Sequence, residues 1–115
     1  MIIGYLDNSP KNISAKAQQD VITRYVERDK VKIDKIICDS DIKNIINSVK
    51  SENNTLIFAN IVCLGDKLAK IVENIEFLLS NGCKLFSVKE NLPLDSSEKN
   101  IQLTHPELKK ERTTI

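Results

Sequence analysis

A chain of 115 residues has the length of one domain, able to bury roughly two thirds of its unfolded surface and so to fold without a metal or disulfide staple. Its 17 lysines and arginines against 16 acids leave a formal net charge of +1, which gives no electrostatic footprint for nucleic acid, and arginine occurs only as Arg24, Arg28 and Arg112. No stretch approaches ~18 consecutive apolar residues and no basic-then-apolar leader is visible, so the composition predicts a cytoplasmic protein without a membrane span or signal peptide.

Residues 2–6 read as a short apolar strand, closed by the turn-forming run Asp7-Asn8-Ser9-Pro10. A helix can then start near Asn12 or Ser14. Ile13, Ala17, Val21, Ile22, Tyr25 and Val26 recur at spacings of one, three or four, one apolar face running to about Asp29. Residues 33–38 form a second strand. Asp39 or Ser40 suits the N-cap of a second helix, whose apolar stripe is Ile42, Ile45, Ile46 and Val49. Residues 55–59 are continuously apolar, as expected for the covered centre of a parallel sheet. The longest helix follows, with Leu64, Leu68, Ile71, Val72, Ile75, Leu78 and Leu79 in register, and stops at Asn81-Gly82, the glycine serving as a left-handed C-terminal cap. Residues 83–88 form the fourth strand.

Alternating strands and helices require crossover connections and therefore parallel neighbours. The predicted fold is α/β, three-layered, with a mostly parallel four- to five-stranded sheet flanked by helices. In such sheets the site lies beyond the carboxyl ends of the strands. Ser9 follows strand one and residues 60–63 follow strand three, so both segments meet at that edge.

Beyond Leu92 the periodicity breaks at Pro93, Asp95-Ser96-Ser97, Asn100 and Pro106. The predicted organisation is an α/β domain over residues 1–92 and an irregular or short-helical tail over 93–115, with Leu94, Ile101 and Leu103 tacked onto the domain. His105, the only histidine, sits before a proline without partners. Cys38, Cys63 and Cys83 show no Cys-x-x-Cys spacing, and their odd number suits a reducing compartment. Cys38 ends one apolar strand and Cys83 opens another, so both are expected to be small buried hydrophobes.

Two segments carry a resemblance. Gly4-Tyr5-Leu6-Asp7-Asn8-Ser9 and Ile61-Val62-Cys63-Leu64-Gly65-Asp66 resemble the two active-site segments of the resolvase/invertase family of serine recombinases. In that family the first reads roughly Gly-Tyr-x-Arg-x-Ser and the second Leu-Asp-Arg-Leu-Gly-Arg. The likeness covers roughly residues 1–92 and is strongest over 55–92. It implies a resolvase catalytic-domain fold and makes Ser9 the nominal nucleophile, attacking a DNA phosphate to form a phosphoserine linkage.

The charged chemistry departs from the family. Asp7 stands where the family has an arginine, and Val62, Cys63 and Asp66 stand where it has aspartate, arginine and arginine. Residues 38–41 run straight into the second helix, leaving no counterpart for a further loop arginine. A serine hydroxyl is a poor nucleophile and the transition state is strongly anionic, so arginines must carry the activation and charge stabilisation. Losing one preorganised donor costs on the order of 100- to 1,000-fold in rate. The resemblance with these changes implies a catalytically inactive homologue linked to site-specific DNA recombination, acting as an interaction or regulatory module. Its expected partners are itself, as a dimer or higher, and an intact serine recombinase, with DNA binding weak and no DNA-reading helix-turn-helix domain. Neither cofactor nor metal is expected.

Two alternatives remain. One is an active DNA-cleaving and rejoining enzyme with an atypical site using Ser9, completed by Lys11, Arg24 or Arg28. The other is a flavodoxin- or receiver-like ligand module in which Asp7 and Asp66 hold a divalent cation, although no Gly-rich phosphate loop supports it. Ser9 also fits a purely structural role, its oxygen bonding nearby backbone amides ahead of the first helix. Cys63, placed by the resemblance at the mouth of the site, lacks an adjacent base or cation in sequence to activate it.

Overall fold

The computed structural model describes residues 1–48 and 53–95, so Val49, His105, Arg112 and the tail from Ser96 onward lie outside the described residues. Strands β1 (Ile2–Asp7), β2 (Lys35–Asp39), β3 (Asn54–Phe58), β4 (Cys83–Ser87) and β5 (Leu92–Leu94) form one sheet in the order β2-β1-β3-β4-β5. The pairs β1–β2, β1–β3 and β3–β4 are parallel. β5 runs antiparallel to β4, placing Leu94 opposite Leu85. This is the predicted three-layer α/β architecture with a mostly parallel sheet.

Interior position explains the apolar strands. Ile3, Tyr5, Leu56 and Phe58, on β1 and β3, are fully buried. Because side chains alternate along a strand, each strand feeds both faces. Ile3, Tyr5, Leu56, Phe58 and Leu85 pack with Ile75 and Leu78 of helix α2 (Leu68–Ser80), while Leu6 and Ile57 pack with Ile22 of helix α1 (Ala15–Asp29). Both helix boundaries follow local chemistry. Ser14 caps α1, its Oγ accepting from the Ala17 N–H at 3.1 Å. Beyond α2, Gly82 takes a left-handed φ of 81°, as expected of the residue that stops the helix.

Several expectations are corrected. Residues 42–48 form a 3₁₀ helix (Ile42–Ser48) in place of an α-helix. At three residues per turn Ile42 and Ile45 eclipse one another, and these are the two side chains buried against the sheet. Tight local bonding favours that coil: Asp39 Oδ1 accepts from the Ser40 and Asp41 N–H groups and from Asn44, and Asp41 Oδ1 accepts from the Lys43 N–H.

The helix expected from Leu64 is split into a 3₁₀ turn (Ile61–Leu64) and α2, joined through extended backbone at Gly65. A Cβ on Gly65 would lie 3.0 Å from Lys70 Cβ and Cγ and 3.1 Å from the Ile71 nitrogen, so only glycine fits without a shift. Consequently α1, at 15 residues, is longer than α2, at 13.

Cys38 is exposed, because β2 is an edge strand and α1 covers β1 and β3 instead; its neighbour on that face, Ile36, is 46% exposed. Ile13 precedes α1 and is also exposed, whereas Cys83 is buried as expected. Finally, the sheet continues past Leu92. Asn91, at φ 51°, turns the chain into β5, an edge strand on which Pro93 is tolerated.

Replacing the fully buried Phe58 by alanine should destabilise the fold by about 3–5 kcal/mol in chemical denaturation, whereas Ile36→Ala should change it by less than about 1 kcal/mol.

Candidate functional site

β1 outruns its neighbour. Its pairing with β3 ends at Tyr5 opposite Phe58, while its pairing with β2 continues to Asp7 opposite Asp39. The inward peptide groups of Asp7 therefore face a space that β3 has already left. The fully buried Gln18, in the first turn of α1, fills it. Gln18 Oε1 accepts from the Asp7 N–H at 2.7 Å, and Gln18 Nε2 donates to the Asp7 carbonyl at 2.5 Å and to the Ile13 carbonyl at 2.8 Å.

The Asp7 side chain, 3% exposed, is held just as closely. Oδ1 accepts from the Ser9 N–H and Oδ2 from Asn12 Nδ2, each at 3.0 Å. Asn12 Oδ1 accepts from Asn60 Nδ2 at 2.9 Å, which ties the loop after β1 to the segment after β3. Cys63 Sγ lies 3.3 Å from Asn12 Nδ2 and 3.5 Å from Gln18 Oε1. Burial pushes the Cys63 thiol pKa up, the opposite of what an activated thiolate needs. The accessible sulfur is that of Cys38.

Ser9 sits half-buried at the rim of an open groove of about 420 Å³. Its Oγ accepts from the Lys11 N–H at 3.3 Å, a turn contact leading toward α1. Lys11 and Lys70 both line the groove, and both are engaged with carboxylates. Lys11 Nζ lies 3.1 Å from Asp66 Oδ2, and Lys70 Nζ lies 3.4 Å from Glu73 Oε2. The Lys11 hydrogen bond and charge hold the exposed Asp66 carboxyl below its usual range.

Three carboxylates, Asp7, Asp41 and Asp66, share the groove wall. Asp7 and Asp66 each have their own donors, and among the described residues no group of three or more His, Cys, Asp or Glu side chains could hold a metal ion. Arg24 and Arg28 do not approach this edge. The helix carries them about 14 and about 20 Å away along its axis from Ala15, and Arg28 pairs with Asp29 at 3.2 Å.

The structure brings Ser9, Lys11, Cys63 and Asp66 to one edge, where strand order had placed Ser9 and residues 60–63. Sequence reasoning placed Asn60 at this edge without its bond to Asn12, and missed Asn12 and Gln18. Gln18 carried a signal: it stands four residues before Ile22 and seven before Tyr25, a polar residue on the core-facing stripe of α1.

No protein-family model matches the sequence, and no curated protein matches it. Among solved structures, the chain is similar to the N-terminal catalytic domain of TP901-1 integrase, with a TM-score of 0.69 and 16% identity over 98% of this chain and 94% of that one. The fold is that of a serine-recombinase catalytic domain. It agrees with the resemblance carried by the Gly4–Ser9 and Ile61–Asp66 segments. Within this recombinase fold, the edge occupied by Ser9 is lined by carboxylates and engaged lysines.

Two outcomes follow from the network. A thiol-modifying reagent should label one cysteine of the three in the native protein, Cys38, and all three after unfolding, as counted by mass spectrometry. Gln18→Leu should cost about 1–3 kcal/mol for each Asp7 backbone group left buried without a partner, measured by urea denaturation.

Proposed function

We propose that this protein is a serine-recombinase catalytic-domain homologue, linked to site-specific DNA recombination, that acts as an interaction or regulatory module and does not cleave DNA. The observation that carries this reading is the setting of Ser9. The two lysines on its groove are each engaged with a carboxylate, and the buried Asp7 carboxylate sits two residues away, held by the Ser9 and Asn12 donors. Attack on a phosphodiester builds negative charge on the phosphoryl oxygens, and that charge needs preorganised cations or donors. A carboxylate at about 4 Å from a phosphate instead repels it by several kcal/mol at an effective dielectric near 20.

Support for the interaction role comes from what is preserved. The sheet, the Gly65 crossing and the apolar packing of α1 and α2 keep the recombinase fold, while the edge that would perform the chemistry is built from mutually satisfied polar groups. Such a domain can still pair with a second copy of itself or with an intact serine recombinase through the surface of the shared fold.

The test is a covalent-adduct assay on nicked duplex DNA, read on a denaturing gel, with Ser9→Ala alongside. Neither protein should form an adduct. A protein–DNA adduct made by the native chain and lost in Ser9→Ala would establish an active recombinase with an atypical site. The regulatory half is tested by adding either protein to a recombination reaction run by an intact serine recombinase from the same source. Both should change its rate equally.

A further inference from the structure

Donors and acceptors in the Ser9 groove do not balance. On the donor side, the Ser9 N–H and Asn12 Nδ2 are engaged by Asp7, Lys11 Nζ by Asp66, and Lys70 Nζ by Glu73. On the acceptor side, Asn74 of α2 lines the groove and is 3% exposed. Its Nδ2 donates to the Leu64 carbonyl at 2.5 Å, which fixes the orientation of the carboxamide and leaves Oδ1 buried with no hydrogen-bond partner among the described residues. Buried side-chain acceptors in folded proteins nearly always have a partner, so this one points to a donor that arrives from outside the chain.

Charge points the same way. Asp66 has Lys11, but among the described residues neither of the other two lining carboxylates, Asp7 and Asp41, pairs with a cation. Asp7 is buried and held by neutral donors alone, which occupy two of the about four lone-pair sites of a carboxylate. A buried charge without a counter-ion is costly, and an incoming cation relieves that cost. A metal ion is unsuited, since among the described residues no three His, Cys, Asp or Glu side chains gather to hold one. The acceptors instead stand on the end of β1, on the segment after β2 and on α2, so the ligand needs several N–H groups pointing in different directions. A guanidinium carries five in a planar fork and is more weakly hydrated than an ammonium, so it enters a partly buried site more readily.

We propose that this groove binds the guanidinium of an arginine side chain presented by a partner protein, with Asn74 Oδ1 accepting at the bottom and Asp7 and Asp41 supplying the counter-charge. This deepens the functional reading above by naming the partner chemistry of the same groove, and it rests on that reading in taking the groove to receive a protein and not DNA.

The test is an NMR titration of the isotope-labelled full chain with Nα-acetyl-arginine amide, followed through the side-chain NH₂ resonances of Asn74, which a merely structural asparagine would keep in place. A saturable shift is expected, absent with the uncharged citrulline analogue and weaker with Nα-acetyl-lysine amide. Asp41→Asn keeps an oxygen for the Lys43 N–H while removing the charge, and should weaken binding by about two- to fivefold, the order expected of one exposed ion pair. Free L-arginine, the small-molecule source of the same group, should bind no more tightly than the capped residue. The proposal is overturned by no saturable shift at Asn74, by an equal response to the citrulline or lysine analogue, by Asp41→Asn binding as the native chain does, or by markedly tighter binding of free arginine. A specific arginine shift together with a Ser9–DNA adduct would keep the guanidinium site and refute the reading above, whereas no shift and no adduct would do the reverse.

Discussion

The Gln18 carboxamide stands in for a missing stretch of strand, and the geometry of the whole carboxyl edge depends on it. β1 continues beyond the point where β3 turns away, so the Asp7 peptide would otherwise present a buried N–H and C=O to nothing. One side-chain amide offers an acceptor and a donor in the arrangement a neighbouring peptide would use, and its second N–H reaches the Ile13 carbonyl ahead of α1. The same group therefore fixes the end of β1, the start of α1 and the direction of the Asp7 side chain. From Asp7 the order passes outward through Ser9 and Asn12, and through Asn12 to Asn60 in the segment after β3.

Such a network has a chemical consequence. Buried polar groups are stable only when nearly all of them are satisfied, and here the donors at the mouth are spent on Asp7 and Asn12 oxygens. Few remain for an incoming anion. The buried Tyr5 hydroxyl likewise donates inward, to the Asp39 carbonyl at 3.0 Å, and burial raises its pKa well above the ordinary phenol value. At the rim the Lys11–Asp66 pair is exposed, and pairs of that kind contribute little to stability. Its importance is local, since the carboxylate occupies the cation nearest in sequence to Ser9. An edge of this composition is suited to holding its own shape and poorly suited to stabilising a phosphoryl transition state.

Much of this was legible in the residues. Ser14 as N-cap, the stripe from Ile22 to Val26, Gly82 beyond α2 and the apolar runs of β1 and β3 each follow a single dominant local rule, and the carboxyl-edge location of Ser9 and residues 60–63 follows from strand order alone. Elsewhere two rules competed. Ile42 and Ile45 fit a period of 3.0 as well as one of 3.6, and the Asp39 and Asp41 side chains decided for the tighter coil. Gly65 interrupts an apolar register that reads as continuous, because its conflict with Lys70 exists only in three dimensions. Cys38 looks like a core residue until β2 is known to be an edge strand. Gln18 and Asn12 are polar residues whose partners lie on other segments; only the place of Gln18 on the apolar stripe of α1 hints at its role, and no local pattern announces Asn12.

The central proposal is that the edge beside Ser9 is organised around the Asp7 carboxylate and does not receive DNA phosphate. An NMR titration of the isotope-labelled protein with a short nicked duplex at low salt, following the backbone amides of Ser9 and Lys11, tests it most directly. The account predicts that these resonances stay in place through the titration. A saturable shift centred on Ser9 and Lys11, weakened by added salt as phosphate contacts are, would contradict it.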